Sequence, residues 1–304
     1  MRFGGHETFA IREGWLHKGL MLLAEYPERV DDNYVADWLG VGRNMAKSIK
    51  HWLVATGLAA RPLLPNSRIR GPMELTRLGH VVLERDRYFL ETGTWFALHV
   101  NLVNSDESAA TWGWFFNYFL NVRFERATCN EALRRYLATQ EKRQPNPKTL
   151  QRDVACLLAS YAKEVPPTVS DPEDASESPF RDLGLLVHFK DSGLFGRESL
   201  GPTEVPPELV PYALLKANDE GLDAEGVTEI SVREACLMPS GPGRCFNMDL
   251  EAFHELCVTA EMKLGAEQFR LVSLAGERVI RFVATTTEEW LLKYYNRLDR
   301  RAAA

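Results

Sequence analysis

The segment Phe3-Gly4-Gly5-His6-Glu7-Thr8-Phe9 sets an imidazole, a carboxylate and a hydroxyl side by side behind two glycines. Such a trio can hold a divalent metal or activate water for attack on a phosphodiester. His6 and Glu7 are therefore the candidate catalytic pair, with Arg12 and Glu13 close in sequence. The same two residues also read as a hydrogen-bonded cap on the first helix, an alternative of equal standing. No P-loop, no dinucleotide GxGxxG, no HExxH and no GxSxG occurs, so no nucleotide cofactor is expected, and a metal would be Mg²⁺ or Mn²⁺. Gly241-Pro242-Gly243-Arg244 could cradle a phosphate with backbone N–H groups and one guanidinium, although a plain turn is the simpler reading.

Binding chemistry is more legible. Val35 to Leu53 reads as a short helix, a glycine-containing turn and a longer helix, the order of a helix-turn-helix. On a wheel of about 100° per residue, Arg43, Lys47 and Lys50 share a face, with Asn44 and His51 beside them, while Ala46, Ile49 and Leu53 lie opposite. That split suits a helix that packs on one side and enters a DNA major groove on the other; an ordinary amphipathic surface helix is the alternative. Ala59 to Leu64 and Met73 to Thr76 read as two strands around a turn-rich tip, and Arg77 to Glu84 as a helix. Helix, helix, hairpin, helix is the order of a winged helix-turn-helix, with Arg68 and Arg70 at the tip near a phosphate backbone or a minor groove.

Cys129 to Thr139 and Lys148 to Ala162 form a second helix-turn-helix candidate across Pro145-Asn146-Pro147. Lys148, Gln151 and Arg152 stand at the N-terminal end of its second helix, with Leu150, Val154, Leu157 and Leu158 as the apolar stripe. A helical hairpin with a basic end is the alternative. The aromatics between Tyr88 and Phe119 read as core, with a base-stacking platform as the lesser reading. A third helix–helix–hairpin unit is expected between Pro207 and Val283, and a last helix over Thr287 to Leu298.

These segments imply a mainly α chain with small β-hairpins, an α+β class built from multiple winged helix-turn-helix-like units. The organisation is 1–87 (leader and winged helix), 88–163 (aromatic and second helix-turn-helix), 164–179 (an acidic, proline-rich linker expected to be extended) and 180–304 (acidic α+β). The net charge of −6 over 304 residues is uneven: +3 for residues 1–90, +5 for 121–163 and −11 for 164–304. A nucleic-acid footprint therefore belongs to the N-terminal half. Five cysteines form no CxxC pair and read as reduced thiols, and neither a signal peptide nor a membrane span is present, so a cytoplasmic protein is expected.

The leader and Arg12-Glu13-Gly14-Trp15-Leu16, with Leu39-Gly40-Val41-Gly42-Arg43-Asn44-Met45, Ala110-Thr111-Trp112, Phe116-Asn117, Thr149-Leu150-Gln151-Arg152-Asp153-Val154, Leu183-Gly184-Leu185 and Gly241-Pro242-Gly243-Arg244-Cys245-Phe246, resemble a bacterial family long filed as a domain of unknown function. The resemblance covers nearly the whole chain. Members are typically encoded beside PAPS-reductase-like and cysteine-desulfurase enzymes of DNA phosphorothioate modification, and SspB-type members are described as DNA-nicking. It implies a DNA-binding, DNA-nicking component of an anti-phage phosphorothioation system, with double-stranded DNA and those sulfur-transfer enzymes as partners. A non-enzymatic regulator or targeting subunit is the alternative. A homodimer would suit a short near-palindromic site.

Overall fold

The computed structural model describes residues 1–29, 31–64, 69–140, 145–167, 177–218, 226–274 and 276–302. Its N-terminal part runs α1 (Trp15–Glu25), α2 (Asp32–Leu39), α3 (Arg43–Ala55), β1 (Ala59–Ala60), β2 (Glu74–Leu75) and α4 (Arg77–Arg85). The helix starts follow from short polar residues. Asp31 accepts from the backbone N–H groups of Asn33 and Tyr34, and Thr76 accepts from that of Gly79, so both satisfy otherwise orphaned donors. Gly40 ends α2 in the left-handed conformation, and three residues later α3 begins. β1 and β2 pair antiparallel over two residues each.

α5 (Thr92–Val103) and α6 (Ala110–Tyr118) are the pillar of the molecule. Both are apolar around nearly their whole circumference, which requires burial on every side. Phe96, Trp112, Phe115 and Phe116 are at most 1% exposed, so the aromatic segment is core as expected. β3 (Arg123–Phe124), α7 (Arg126–Ala138) and α8 (Pro147–Tyr161) follow, with Asn146 capping α8 by accepting from the Lys148 N–H.

The remainder is β4 (Ala162–Val165), a 3-10 turn (Pro179–Leu183), β5 (Leu186–Phe189), β6 (Leu194–Arg197), α9 (Leu209–Ala217), β7 (Gly226–Ser231), α10 (Val232–Leu237), α11 (Pro242–Cys245), α12 (Leu250–Leu264), β8 (Phe269–Leu274), β9 (Glu277–Ala284) and α13 (Thr287–Ala302). The fold is thus mixed α/β and helix-rich, with small sheets. A four-stranded sheet in the order β3-β6-β5-β4 carries one parallel pair, β4 with β5. The expected linker therefore enters the sheet at Glu164 and Val165, while residues 168–176 lie outside those described. The expected C-terminal hairpin is β8 and β9, joined by β7 into a three-stranded antiparallel sheet.

One contiguous core runs from Ile11 to Tyr295 and joins all these parts. Two buried polar contacts clamp it. Arg297 of α13 grips Glu208, 1% exposed at the start of α9, through two hydrogen bonds of 2.6 and 2.9 Å. His99 of α5 donates from Nε2 to the Cys245 carbonyl (2.8 Å), leaving Nδ1 to accept from the Tyr161 hydroxyl (2.9 Å). Among the described residues no helix is long and apolar enough to cross a membrane, and all five cysteines are free and buried.

Burial pushes His99 from its ordinary 6.5 down to about 4. The folded state then refuses a proton that the unfolded chain accepts below pH 6.5. Stability is intact above that pH and falls as pH drops toward 4, by about 1.4 kcal/mol per pH unit for one such histidine. Urea unfolding at pH 7, 6 and 5 should show this decline, and His99→Gln should make it shallower. An equally steep decline in the variant would place the acid sensitivity elsewhere.

Candidate functional site

The leader is a chain of tight contacts. Gly4 donates its N–H to Asp153 Oδ1 at 2.8 Å. Gly5 lies flat against His51 of α3, where a Cβ would come within 2.5 Å of the ring, so no larger residue fits without movement. His6 then turns inward and is 1% exposed. Its Nδ1 accepts from the Thr8 N–H (3.1 Å), which assigns the proton to Nε2, and Nε2 donates to Asp153 Oδ1 (3.0 Å). The ring stacks on Trp52 and meets Trp112 edge-on.

Asp153, itself 2% exposed, also accepts from the Thr111 hydroxyl at 3.0 Å. One carboxylate thus gathers the leader, α6 and α8. Beyond His6 the chain reverses through Glu7 (φ 50°) and Thr8 (φ 75°), two successive left-handed non-glycine residues, the second β-branched. Each costs on the order of 1–3 kcal/mol and persists only where its surroundings enforce it. Enforcement comes from the His6 bonds and from Trp52 Nε1, which donates to the Phe9 carbonyl (3.0 Å) just past the turn.

Glu7 lands on the wall of a cleft of about 850 Å³. Along α3 the lining residues are Lys47, Lys50, His51, Val54 and Ala55, one helical face by their spacing. Arg2 comes from the leader, Arg61 and Arg70 from the β1–β2 connection, and Asn101 from α5, while Tyr212 and Lys216 of α9 and Thr287 and Glu288 of α13 close the far side. Lys50 pairs with Asp32, and Arg70 sits 3.7 Å from Glu107 on an exposed edge. Among the described residues Arg2, Lys47, Arg61 and Glu7 have no ion pair. His51 is pushed down to about 3, first by burial and then by His6 and Arg2, so its ring is neutral, and its Nε2 has no hydrogen-bond partner among the described residues.

Four of the expected site residues therefore meet in one place: Glu7, Lys47, Lys50 and Arg70. His6 is on the far side of the turn, in the core. The expected cap on the first helix is not formed, because Gly14 precedes α1 and neither His6 nor Glu7 reaches it. Arg43 and Asn44 are exposed on the first turn of α3, outside the cleft, and Lys148, Gln151 and Arg152 are exposed at the start of α8. Arg244 is half-buried and donates to the Leu237 carbonyl at 3.3 Å. Its loop is packed rather than open: a Cβ at Gly243 would lie 2.3 Å from the Cys236 carbonyl oxygen. Arg68 lies outside the described residues.

With this geometry established, the relatives can be placed. The family described as a protein of unknown function, DUF4007, matches residues 3–295. The chain belongs to that family. Two solved structures share its fold: a magnesium ion-bound SspB crystal structure (TM-score 0.84) and a second SspB crystal structure (TM-score 0.81). Each is 25% identical to this chain, and each alignment covers 97% of it and 88% of the solved chain. No curated protein matches.

In this DUF4007 chain the motifs quoted for the resemblance are the points where separate segments are sewn together. His6, Thr111 and Asp153 join three of them. Asn117 exchanges hydrogen bonds with Ser240, its Oδ1 accepting from the Ser240 N–H (2.6 Å) and its Nδ2 donating to the hydroxyl (3.2 Å). Leu185 accepts from Asn247 Nδ2 at 3.0 Å. The residues missed from sequence were Arg2, Arg61, Thr111 and Asp153. Asp153 carried a signal: it sits three residues after Leu150 and four before Leu157, on the apolar stripe of α8, where a carboxylate must have buried donors.

Asp153→Ala should leave His6, Gly4 and Thr111 without their shared acceptor and cost about 3–5 kcal/mol. Asp153→Asn keeps an acceptor for the leader and should cost roughly 1–2 kcal/mol. Urea midpoints with unchanged slopes check both, and equal losses would contradict the network.

Proposed function

We propose that this chain is the DNA-binding, strand-nicking component of a DNA phosphorothioate modification system, working with PAPS-reductase-like and cysteine-desulfurase partners. The observation that carries this reading is the full-length structural likeness to SspB combined with a cationic cleft alongside α3. The order α2, turn, α3, β1, β2, α4 supports a winged helix-turn-helix-like unit, with α3 as the helix that meets duplex DNA. Arg43 and Asn44 then face base edges, Lys47 a phosphate, and the hairpin that carries Arg70 the adjoining backbone.

In this reading the strand to be nicked passes the cleft. Arg2 and Arg61 draw its phosphate in, and the strained turn holds Glu7 against it. Among the described residues no three His, Cys, Asp or Glu side chains form a ready-made metal cage. Mg²⁺ needs none, since it is commonly held by one or two carboxylates plus substrate phosphates, and Glu7 fits as one such ligand. A bound Mg²⁺ would supply charge stabilisation at the phosphate. Glu7 orients the attacking water, the guanidiniums neutralise the phosphate, and His6 positions Glu7 by fixing the turn.

A targeting subunit without its own chemistry is the second reading. It is favoured by one observation, that both nitrogens of His6 are committed within the core. The two readings part on supercoiled plasmid incubated with Mg²⁺, Mn²⁺ or EDTA. Metal-dependent open circles lost in Glu7→Gln, with DNA still bound, are the expected result; binding without conversion by the wild type would leave the targeting role. Lys47→Ala should lower the slope of log K against log salt by roughly 0.9, the share of one phosphate. Arg43→Ala should relax sequence preference, and an unchanged slope and preference in the two variants would remove α3 from the interface.

A further inference from the structure

A second, smaller recess of about 190 Å³ opens between α6 and α7. Trp114, Tyr118 and Tyr136 line it, with Leu133 behind, and Asp106 and Asn104 stand at its edge. Tyr118 and Tyr136 are stacked at 5.2 Å between centroids and 22° between planes. Trp114 lies 6.4 Å from Tyr136. Most aromatics of this segment are sealed into the core, but Tyr118 is 51% exposed. A recess this size is below the roughly 300–1,000 Å³ of drug-sized ligand sites and suits a single planar ring system.

The recess adjoins the cleft. Phe3 and Asn104 line both, and only the first residues of the chain lie between, where Arg2 donates its N–H to the Asp106 carbonyl at 3.2 Å. Arg2 faces the cleft and Met1 the recess. We propose that the recess takes one unstacked nucleobase from the DNA strand whose phosphates occupy the cleft, which rests on the DNA-binding reading above.

Two features select a nucleobase over a lysine or arginine from a partner protein. First, the recess adjoins the cationic cleft through Phe3 and Asn104, so a base belonging to a strand whose phosphates lie in that cleft is within reach of the rings. Second, the rings offer a stacked face rather than a cage. The Asp106 carboxylate and the Asn104 Oδ1 are acceptors, matched to the exocyclic amino groups of adenine, cytosine or guanine, whereas thymine offers only its ring N3–H. An extruded base stacked on aromatic side chains is how proteins hold nucleotides taken out of a duplex.

The test is fluorescence anisotropy on a labelled duplex, fully paired or with a single-nucleotide bulge of each base, for the wild-type protein and for Tyr118→Ala, Tyr136→Ala and Asp106→Ala. A bulged base has already left the stack, so the wild type should bind bulged DNA roughly tenfold more tightly than paired DNA, least so for thymine. Tyr118→Ala, at an exposed position, should erase that preference while changing paired-duplex affinity less than about twofold, and Asp106→Ala should erase the discrimination against thymine. Equal wild-type affinity for paired and bulged DNA, or a preference intact in both tyrosine variants, would overturn the base pocket and leave the recess to a protein side chain. Absence of binding to any duplex would overturn the DNA-binding reading, and the pocket with it.

Discussion

The carboxylate of Asp153 organises this molecule. Taking it out of water without partners would cost several kcal/mol, and the fold meets that cost with three donors from two remote segments: Gly4 and His6 of the leader and Thr111 of α6. Because the leader and α6 both lie far in sequence from α8, the bonds fix tertiary geometry rather than local structure. They set the leader between α3 and α8, the two helices whose cationic turns the sequence singles out. A hydrophobic residue at position 153 could supply packing, but it could not fix the imidazole of His6 in one tautomer and one orientation.

That orientation has consequences further along the chain. His6 Nδ1 receives the Thr8 N–H only because Nε2 is occupied by Asp153, and the Thr8 bond in turn holds a backbone that would otherwise relax out of the left-handed region. The strain is therefore balanced by a buried electrostatic network a few ångströms away. What the strain achieves is placement: Glu7 is delivered to the cleft wall on a rigid turn, where a relaxed loop would leave the carboxylate free to wander. A preorganised acid sharing a cleft with cations is the arrangement that charge-stabilising sites require.

Helices were legible in the sequence because their starts are chemical. Asp31, Thr76, Asn146, Ser231 and Asp249 each accept a backbone N–H at a helix start, and α4 and α8 lie close to the ranges read from periodicity. The four-stranded sheet was not legible. Its strands are two to four residues long, and its parallel pair joins Ala162–Val165 to Leu186–Phe189 across a proline-rich stretch that composition marks as a linker. The site was half legible. Charge patterning found Lys47, Lys50 and Arg70, and the leader motif found Glu7. Adjacency in sequence misled at His6, because a reversal through positive φ sends neighbouring side chains to opposite sides.

The acidic C-terminal half acquires a role from the same geometry. α9 and α13, cross-linked by Glu208 and Arg297, close the far side of the cleft, and Tyr212 donates to Asn101 Oδ1 (3.1 Å) while Asn101 Nδ2 donates to the Thr56 carbonyl at the end of α3 (2.8 Å). The helix that presents the cations is thus braced by the part of the chain that carries net −11. In the proposed reading, a polyanion would meet repulsion from that side and attraction from the side of α3 and the β1–β2 connection. Under the proposed DNA-binding role, that asymmetry would favour approach from the side of α3, where Glu7 lines the cleft.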